Sequence, residues 1–382
     1  MKRRIKGVSL FSNVGLAETY LEEIGIDIVV ANELLKERAD FYKHLYPKAY
    51  VICGDITKDE TRDLIVQKSI EEGVEFLIAT PPCQGMSRHG KQEEFDPRNF
   101  LVYYAVDVIK RLNPKYVLLE NVPKLLTTKI TVNSETMLIP EYLKKELSAY
   151  YNFQDIELFN SEDYGVPQSR TRCIYRLIRK DISIKWPEPP KQQIITLEQA
   201  IGHLPSLDPL VREQDKRHLF PDYENKRIEG SKISKWHYPP THSWKHVLWM
   251  THTPSGKTAF YNDIHYPQKD DGTRINGRLS CYRRYAWERP ANTVTQNNGV
   301  ISSACCVHPG RKIFLEDGSA IYSDARVLSI YELLIVSSLP TDWNIPDWAS
   351  EKLIRNVIGE GIPPLMIKAI VSELIKSIES EL

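Results

Sequence analysis

The sequence predicts a doubly wound α/β domain interrupted by a smaller, irregular second domain, and three observations carry that expectation. Short apolar runs alternate with helical patterns through about the first 180 residues, a proline-rich stretch (Trp186-Pro187-Glu188-Pro189-Pro190) ends the alternation, and helical periodicity returns from Val327 onward. Alternation of this kind builds a mostly parallel sheet with helices on both faces. The first domain is therefore expected over residues 1–180 and 328–382, and the second over 181–327.

In order, the patterns predict a strand at Ile5–Phe11, a helix at Leu16–Ile24 and a strand at Ile26–Ala31. A helix through Leu34–Leu45, a short strand at Tyr50–Ile52, a helix across Thr61–Ile70 and a strand at Phe76–Ala79 follow. Leu101–Leu112 reads as a helix, Tyr116–Leu119 and Phe153–Phe159 as strands, and Leu365–Ile378 as an amphipathic helix after Pro363-Pro364. The hundred or so residues after Arg179 are rich in turns. There, only Val300–Val307 reads as an apolar strand.

With 382 residues, 42% hydrophobic and 26% charged, the chain has the composition of a soluble globular protein. No apolar run reaches the 18 or so residues that a membrane helix needs, and the basic start Met1–Ile5 lacks the apolar core of a secretory signal. Six cysteines stand without paired spacing, so neither a disulfide framework nor a zinc ribbon is expected, and a cytoplasmic setting is. Net charge is zero, but residues 226–289 hold twelve Lys or Arg against five acids, interleaved with Trp, Tyr and five His. That surplus suits a phosphate-facing surface as well as it suits a solvated loop region.

Ligands of doubly wound sheets sit beyond the carboxyl ends of the strands. Strand one ends in Phe11-Ser12-Asn13-Val14-Gly15-Leu16, where a glycine lets backbone approach a ligand. Strand two ends in Asn32-Glu33, a carboxylate eighteen residues after Gly15, placed to accept from ribose hydroxyls. Strand three ends in Gly54-Asp55-Ile56, a second carboxylate within reach of an adenine amino group. Each has an innocent alternative as a cap or a surface acid; together they describe a pocket for an adenosine-bearing cofactor. Strand four ends in Thr80-Pro81-Pro82-Cys83-Gln84-Gly85-Met86-Ser87, where two prolines stiffen the approach to a cysteine. The polar stretch from Arg88 to Asn99 after it reads as a lid. Strand five ends in Glu120-Asn121-Val122. Arg170 and Arg172, two apart, are expected to share one face of a strand and to orient a carboxylate or a base carbonyl.

The set Pro81-Pro82-Cys83-Gln84, Glu120-Asn121-Val122 and Gln168-x-Arg170-x-Arg172, in that order, resembles the DNA cytosine-5 methyltransferase family of bacterial restriction–modification type. The match continues with Arg289-Pro290-Ala291-Asn292-Thr293-Val294-Thr295 and with Gly359-Glu360-Gly361-Ile362-Pro363-Pro364, and covers nearly all of the chain outside 185–280. Asn13 and Leu16 stand at two places where the family has glycine, and Glu360 stands where it has asparagine.

The resemblance implies a Rossmann-like domain that binds S-adenosylmethionine, releases S-adenosylhomocysteine and needs no metal, joined to a target-recognition domain. It assigns Cys83 as the nucleophile toward C6 of a flipped cytosine, Glu120 to N3, and Arg172, supported by Arg170, to Glu120 and the cytosine O2. Phe11, Asn13, Gly15, Leu16, Glu33, Asp55, Ile56, Pro81, Leu101, Glu360 and Ile362 fall to the cofactor. Gln84, Ser87, Arg88, Gln168, His242, Lys245, Arg278, Arg283 and Arg284 are expected to face double-stranded DNA. A monomer on DNA, with a cognate restriction endonuclease in the same system and no membrane partner, is the implied setting. A tRNA cytosine-5 methyltransferase shares the catalytic motifs but carries a Cys-Phe-Thr signature that this chain lacks. A silent, cofactor-gated nucleic-acid-binding protein is the alternative from another class, against which the joint presence of Cys83, Glu120 and Arg172 argues. His242-x-x-x-His246 has helical metal-pair spacing, but Ser243 replaces the glutamate of a zincin, so no metal is expected.

Overall fold

A computed structural model describes residues 4–82, 100–154 and 157–381. Its contacts divide the chain into two compact units: Met1–Asn160, Thr171–Lys191 and Pro364–Leu382 in the first, and Ser161–Arg170 with Gln192–Pro363 in the second.

The first unit is an α/β sheet. Its strands are β1 (Ile5–Leu10), β2 (Ile26–Glu33), β3 (Tyr50–Cys53), β4 (Phe76–Ala79) and β5 (Tyr116–Asn121). A hairpin of β6 (Lys129–Val132) and β7 (Glu135–Leu138) stands apart from the sheet, and β8 (Tyr151–Phe153) and β9 (Glu157–Asn160) rejoin it. After β10 (Gln168–Ser169), which lies in the second unit, β11 (Thr171–Arg179) completes the sheet in the order β3-β2-β1-β4-β5-β11-β8, with β9 also on β11. The first five strands run parallel, and β11 is antiparallel to β5, β8 and β9. The strand order reverses between β1 and β4, so their carboxyl ends flank the crevice where such sheets bind ligands.

Period-two alternation explains both layers. Val30 and Ile52 point into a core shared with α2 (Asp59–Glu72), α3 (Leu101–Leu112) and α4 (Ile139–Leu147), while their neighbours Ala31 and Val51 pack against α1 (Lys36–Leu45). Buried Trp186 donates its indole N–H to the Ile370 carbonyl at 2.7 Å, tying down the last helix, Pro364–Ser380.

Three expectations change here. Leu16–Ile24 is a run of tight turns closing on a 3₁₀ turn at Glu22–Ile24. The backbone bonds span three residues (Thr19 to Leu16, Leu21 to Glu18), and the Thr19 hydroxyl competes for the Leu16 carbonyl at 2.8 Å. The strand expected over 153–159 is two strands, β8 and β9, and that expected over Val300–Val307 is a chain of turns and single bridges.

The second unit is built from short pieces. They are α5 (Leu197–Ile201), α6 (Tyr223–Ile233), α7 (Trp244–Thr251), α8 (Ile330–Val336) and α9 (Glu351–Glu360), with the pairs β10–β14 (Ala291–Asn292), β12 (Leu210–Val211)–β13 (Thr241–His242) and β15 (Lys312–Phe314)–β16 (Ala320–Tyr322). One core joins Val211, Val247, Met250, Ile301, Val307 and Val327. Beside it a fully buried charge cluster replaces the apolar contacts that turn-rich sequence cannot supply: Arg326 pairs with Asp324 (2.7 Å) and Glu332 (2.7 Å). The contacts place α8 and α9 in this unit; the sequence-based boundary at 328 assigned them to the first.

Candidate active site

The strand ends of the first unit gather the polar groups that the sequence singles out. After β1, Phe11 (φ 59°), Asn13 (φ 50°) and Gly15 (φ 85°) all adopt left-handed backbone. Such a loop favours glycine, and asparagine is among the side chains best able to replace it, which is how Asn13 fits where glycine is usual. Gly15 meets a further, steric requirement: a Cβ there would strike the ring of Tyr46, whose hydroxyl donates to the Gly15 carbonyl at 2.6 Å. The space that the missing side chain leaves is filled by protein. Leu16 is buried in the core and Phe11 is half-buried.

Glu33 ends β2, buried, and its two oxygens accept the backbone N–H groups of Asn13 (2.9 Å) and Leu35 (3.0 Å). Burial pushes its carboxyl up despite these bonds. It thereby ties the loop after β1 to the end of β2, and these bonds with a further one from Leu34 N–H do not exhaust the four acceptor sites of a carboxylate. Asp55 caps its own turn through Thr57 N–H (2.9 Å) and is half-exposed. Ile56 is core, and Leu101 is the half-buried first residue of α3.

The exit of β4 is held by β5. Asn121 donates its side-chain amide to the Pro81 carbonyl at 3.0 Å and accepts from Val122 N–H at 2.9 Å, while Thr80 N–H bonds to Leu10 O at 3.2 Å. This clamp fixes the chain two residues before Cys83. Cys83, Gln84, Ser87 and Arg88 themselves lie outside the described residues. One position before Asn121, Glu120 is 5% exposed and pairs with Arg172 of β11, Nε to Oε1 at 2.8 Å. Register explains the meeting, because Ile174 lies opposite Glu120 and Cys173 opposite Asn121. Burial, followed by the charge of Glu120, pushes the Cys173 thiol up to about 12, so it is an inert core cysteine.

Arg170 behaves differently from Arg172. It falls between β10 and β11 instead of on one strand with Arg172, and its guanidinium donates to the carbonyls of Val294 (2.8 Å), Gly359 (3.2 Å) and Glu360 (3.0 Å). The expectation that both arginines share a face is corrected. Gln168, expected to face DNA, is 1% exposed, accepts from Val294 N–H (3.1 Å) and donates to Val336 O (3.3 Å). Gly359 packs directly against the Thr295 backbone, which leaves no room for a Cβ. Glu360 is half-exposed and accepts from the Gln296 amide at 2.5 Å; Ile362 is buried.

The C-5 cytosine-specific DNA methylase family model matches residues 5–376. The chain belongs to this family. It is 43% identical to the Type II methyltransferase M1.HgaI of Avibacterium volantium, over 98% of this chain and 99% of that protein. Among solved structures, a prophage-encoded E. coli protein described as a DNA modification methyltransferase matches with TM-score 0.68 at 18% identity, covering 98% of this chain and 99% of that one. A variant of DNMT2 from Spodoptera frugiperda matches with TM-score 0.58 at 19% identity, over 98% and 99% of the two chains. At those identities the structures speak to the fold, a mixed α/β architecture shared with methyltransferases. Family membership makes this chain a DNA cytosine-5 methyltransferase and implies S-adenosylmethionine as methyl donor.

In a DNA methylase the remaining expected DNA contacts divide in two. Lys245, Arg278 and Arg283 are exposed or half-exposed, although Lys245 already pairs with Asp270 (2.8 Å) and Arg283 donates to Gly256 O (2.8 Å). His242 and Arg284 are corrected to structural roles. His242 is 4% exposed, its Nε2 accepts from Val327 N–H at 3.2 Å, and burial lowers it to about 3, so it stays neutral. Arg284, 1% exposed, spends its donors on the carbonyls of Met250, His308, Asp324 and Tyr322. Basic residues inside a basic segment look alike in sequence whichever way they point. Among the described residues no group of three or more His, Cys, Asp or Glu could hold a metal, and no helix is long and apolar enough to cross a membrane. Sequence reasoning passed over Asn121 as a positioning group and Glu18, buried beneath the loop after β1. An Asn directly after the motif carboxylate was a readable signal; nothing local marks Glu18.

Proposed function

We propose that the enzyme methylates C5 of a cytosine rotated out of a specific duplex sequence, through a covalent bond between Cys83 and C6. The observation that supports this reading best is the buried Glu120–Arg172 pair at the end of β5, beside the clamped exit of β4 that leads to Cys83. Carbon 5 of cytosine is too poor a nucleophile to take a methyl group directly. The Cys83 thiolate adds to C6, forming a C–S bond and pushing electron density to N3, where the Glu120 carboxyl donates a proton. Arg172 holds Glu120 in place and stabilises charge at O2. The resulting enamine carries its methyl acceptor at C5; S-adenosylmethionine supplies the methyl group when bound and departs as the neutral thioether. A base then takes the C5 proton, the C–S bond breaks, the Cys83 thiolate is restored, and N3 returns its proton to the Glu120 carboxylate. Reaching the base requires unstacking it at a cost of a few kcal/mol.

The residues present fit the cofactor: Glu33 keeps acceptor capacity for a ribose hydroxyl, Asp55 is half-exposed at the next strand end, and the Phe11–Gly15 loop lies at the strand-order reversal. Glu360, Ile362, Pro81 and Leu101 complete the proposed cofactor contacts. The 181–327 region, with its basic surplus, is the proposed DNA-reading domain. A restriction–modification setting with a partner endonuclease, and a monomer acting in the cytoplasm, complete the reading, supported by the likeness to Type II methyltransferases.

A duplex carrying 5-fluorocytosine at the target should trap the enzyme, because fluorine cannot leave as a cation in the elimination step. The assay is a denaturing gel after incubation with S-adenosylmethionine, with tRNA as a parallel substrate. Absence of a denaturation-resistant DNA complex would overturn the covalent reading, and label on tRNA alone would overturn the substrate.

A further inference from the structure

Among the described residues the most exposed large apolar side chain lies in the second unit: Ile264, 76% exposed, three residues after Tyr261, which is 67% exposed. Between them stand Asn262 and the exposed Asp263, to whose carboxylate no described residue donates. Side chains of this size are normally withdrawn from water, since burying one is worth roughly 1.5–3 kcal/mol in folding. A loose loop would achieve that by folding over, and this one is prevented from doing so. The Asn262 amide nitrogen lies within hydrogen-bond distance of Trp249 O (3.2 Å), Thr253 Oγ1 (3.0 Å) and His265 O (2.7 Å). Arg274 donates to Asn262 O at 3.0 Å while its guanidinium lies over Tyr266 at 3.8 Å. At the other end of the turn, buried Thr258 donates to Cys281 O at 2.9 Å. The turn is thus nailed down at its centre and base while its tip is presented to solvent.

Behind the tip is an open concavity of about 510 Å³ whose lining includes Lys257, Tyr261, Asp263, Ile264 and the rings of His252 and His265. The two rings stack at 3.9 Å, and burial followed by the neighbouring ring lowers His252, so it is neutral and able to donate and accept. Lys257 and Lys269 are exposed on either side of the turn, in the segment whose basic surplus is seven. Around the tip itself the charges balance, Lys257, Lys269 and Arg274 against Asp263, Asp270 and Asp271, so it is the membership of the chain in a DNA methylase family that makes duplex DNA the partner of this face.

We infer that the tip formed by Tyr261, Asp263 and Ile264 reads base edges of the duplex and so determines which sequence is methylated. This rests on the reading of the chain as a sequence-specific DNA methylase. The three side chains supply the kinds of contact that tell bases apart. Asp263 accepts from an exocyclic amine such as cytosine N4, Ile264 meets a thymine methyl, and Tyr261 offers an aromatic face with a hydroxyl at its end. Lys257 and Lys269 meet the phosphates and set the register without reading sequence. Rigid presentation favours discrimination, because a turn already ordered in the free protein loses little freedom on binding and cannot adapt to a wrong base.

The test compares the full-length wild type with Asp263→Asn, Ile264→Ala and Tyr261→Ala on a plasmid pool of randomised sites, reading methylated cytosines by bisulfite sequencing. The asparagine variant is nearly isosteric and exposed, and cofactor affinity by calorimetry together with melting temperature verifies the fold of each variant. The expected result is a drop of about tenfold or more in kcat/KM discrimination between the preferred site and single-base neighbours, in at least Asp263→Asn or Ile264→Ala, with cofactor affinity unchanged. Active variants that keep the wild-type preference within twofold would overturn the assignment. A wild type that methylates duplex DNA without sequence preference would overturn it too, and one that methylates no DNA would remove the function on which it rests.

Discussion

Glu18 occupies the layer between β1 and α1 directly beneath the loop that carries Phe11, Asn13 and Gly15, and its replacement by glutamine tests how that loop is held. The carboxyl is 4% exposed, hydrogen-bonded to Ser9, and has one oxygen with no hydrogen-bond partner; around it stand Thr19, Tyr42 and Tyr46, all neutral. Among the described residues no cation compensates a charge there. Burial raises the carboxyl from 4.5 to about 7. Between those values the folded protein keeps a proton that the unfolded chain has lost, so stability falls as pH rises from 4.5 and levels off above about 7. At about 1.36 kcal/mol per pH unit, that interval amounts to about 3 kcal/mol. Glutamine has nearly the same shape and never ionises. Glu18→Gln should therefore match the wild type in urea melts near pH 4 and exceed it by about 3 kcal/mol at pH 8, the gain growing in between. Identical pH slopes for the two proteins, or a variant weaker at pH 8, would refute the placement of an uncompensated carboxyl beneath the loop.

Cys83→Ser should abolish methyl transfer while sparing DNA and cofactor binding, because a hydroxyl is a far poorer nucleophile than a thiolate; tritiated-methyl incorporation within tenfold of wild type would remove Cys83 from that role. Arg172→Met leaves Glu120 buried without its cation, and should cost about 3–5 kcal/mol of stability in denaturant melts along with most of the activity; a melt unchanged within about 1 kcal/mol would show the pair to be dispensable. Glu360→Gln should weaken S-adenosylmethionine binding about tenfold by calorimetry if its carboxylate meets the sulfonium or the ammonium, with the product affected less in the first case and equally in the second. Unchanged affinity for both ligands would remove Glu360 from the proposed cofactor contacts.

Much of the first unit was legible because its signals are local and periodic. Phe76–Ala79 and Leu101–Leu112 match their predicted bounds, since an apolar strand and a helix with a buried stripe each have one reading. Leu16–Ile24 had the same apolar spacing and failed. What decides it is the pull of Ser9 on Glu18 and of Tyr46 on Gly15, contacts with residues distant along the chain. The pairing of Glu120 with Arg172 was foreseen from the family resemblance, and the structure shows the two groups buried on neighbouring strands as an ion pair. Which basic residues of the second unit face solvent was not legible. Arg278 and Arg284 sit six apart in the same kind of sequence, one exposed and one holding four carbonyls in the core.

Arg170 shows why motifs scattered along this chain must occur together. The Gln168-x-Arg170 segment, the Val294–Thr295 stretch and the Gly359-Glu360 end of α9 are separated by more than a hundred and by more than sixty residues. In the second unit they form one object. β10 pairs with β14, Gln168 accepts from Val294 N–H, Arg170 binds the carbonyls of Val294, Gly359 and Glu360, and Gly359 admits the Thr295 backbone at close range. Lysine at 170 could not serve three carbonyls from one rigid fork. The first Arg of the motif is thus an assembly residue and the second, Arg172, is the one paired with Glu120, the carboxylate proposed to act on N3. Two arginines of similar burial and two positions apart serve different units, Arg172 inside the first and Arg170 inside the second, and only their partners reveal it.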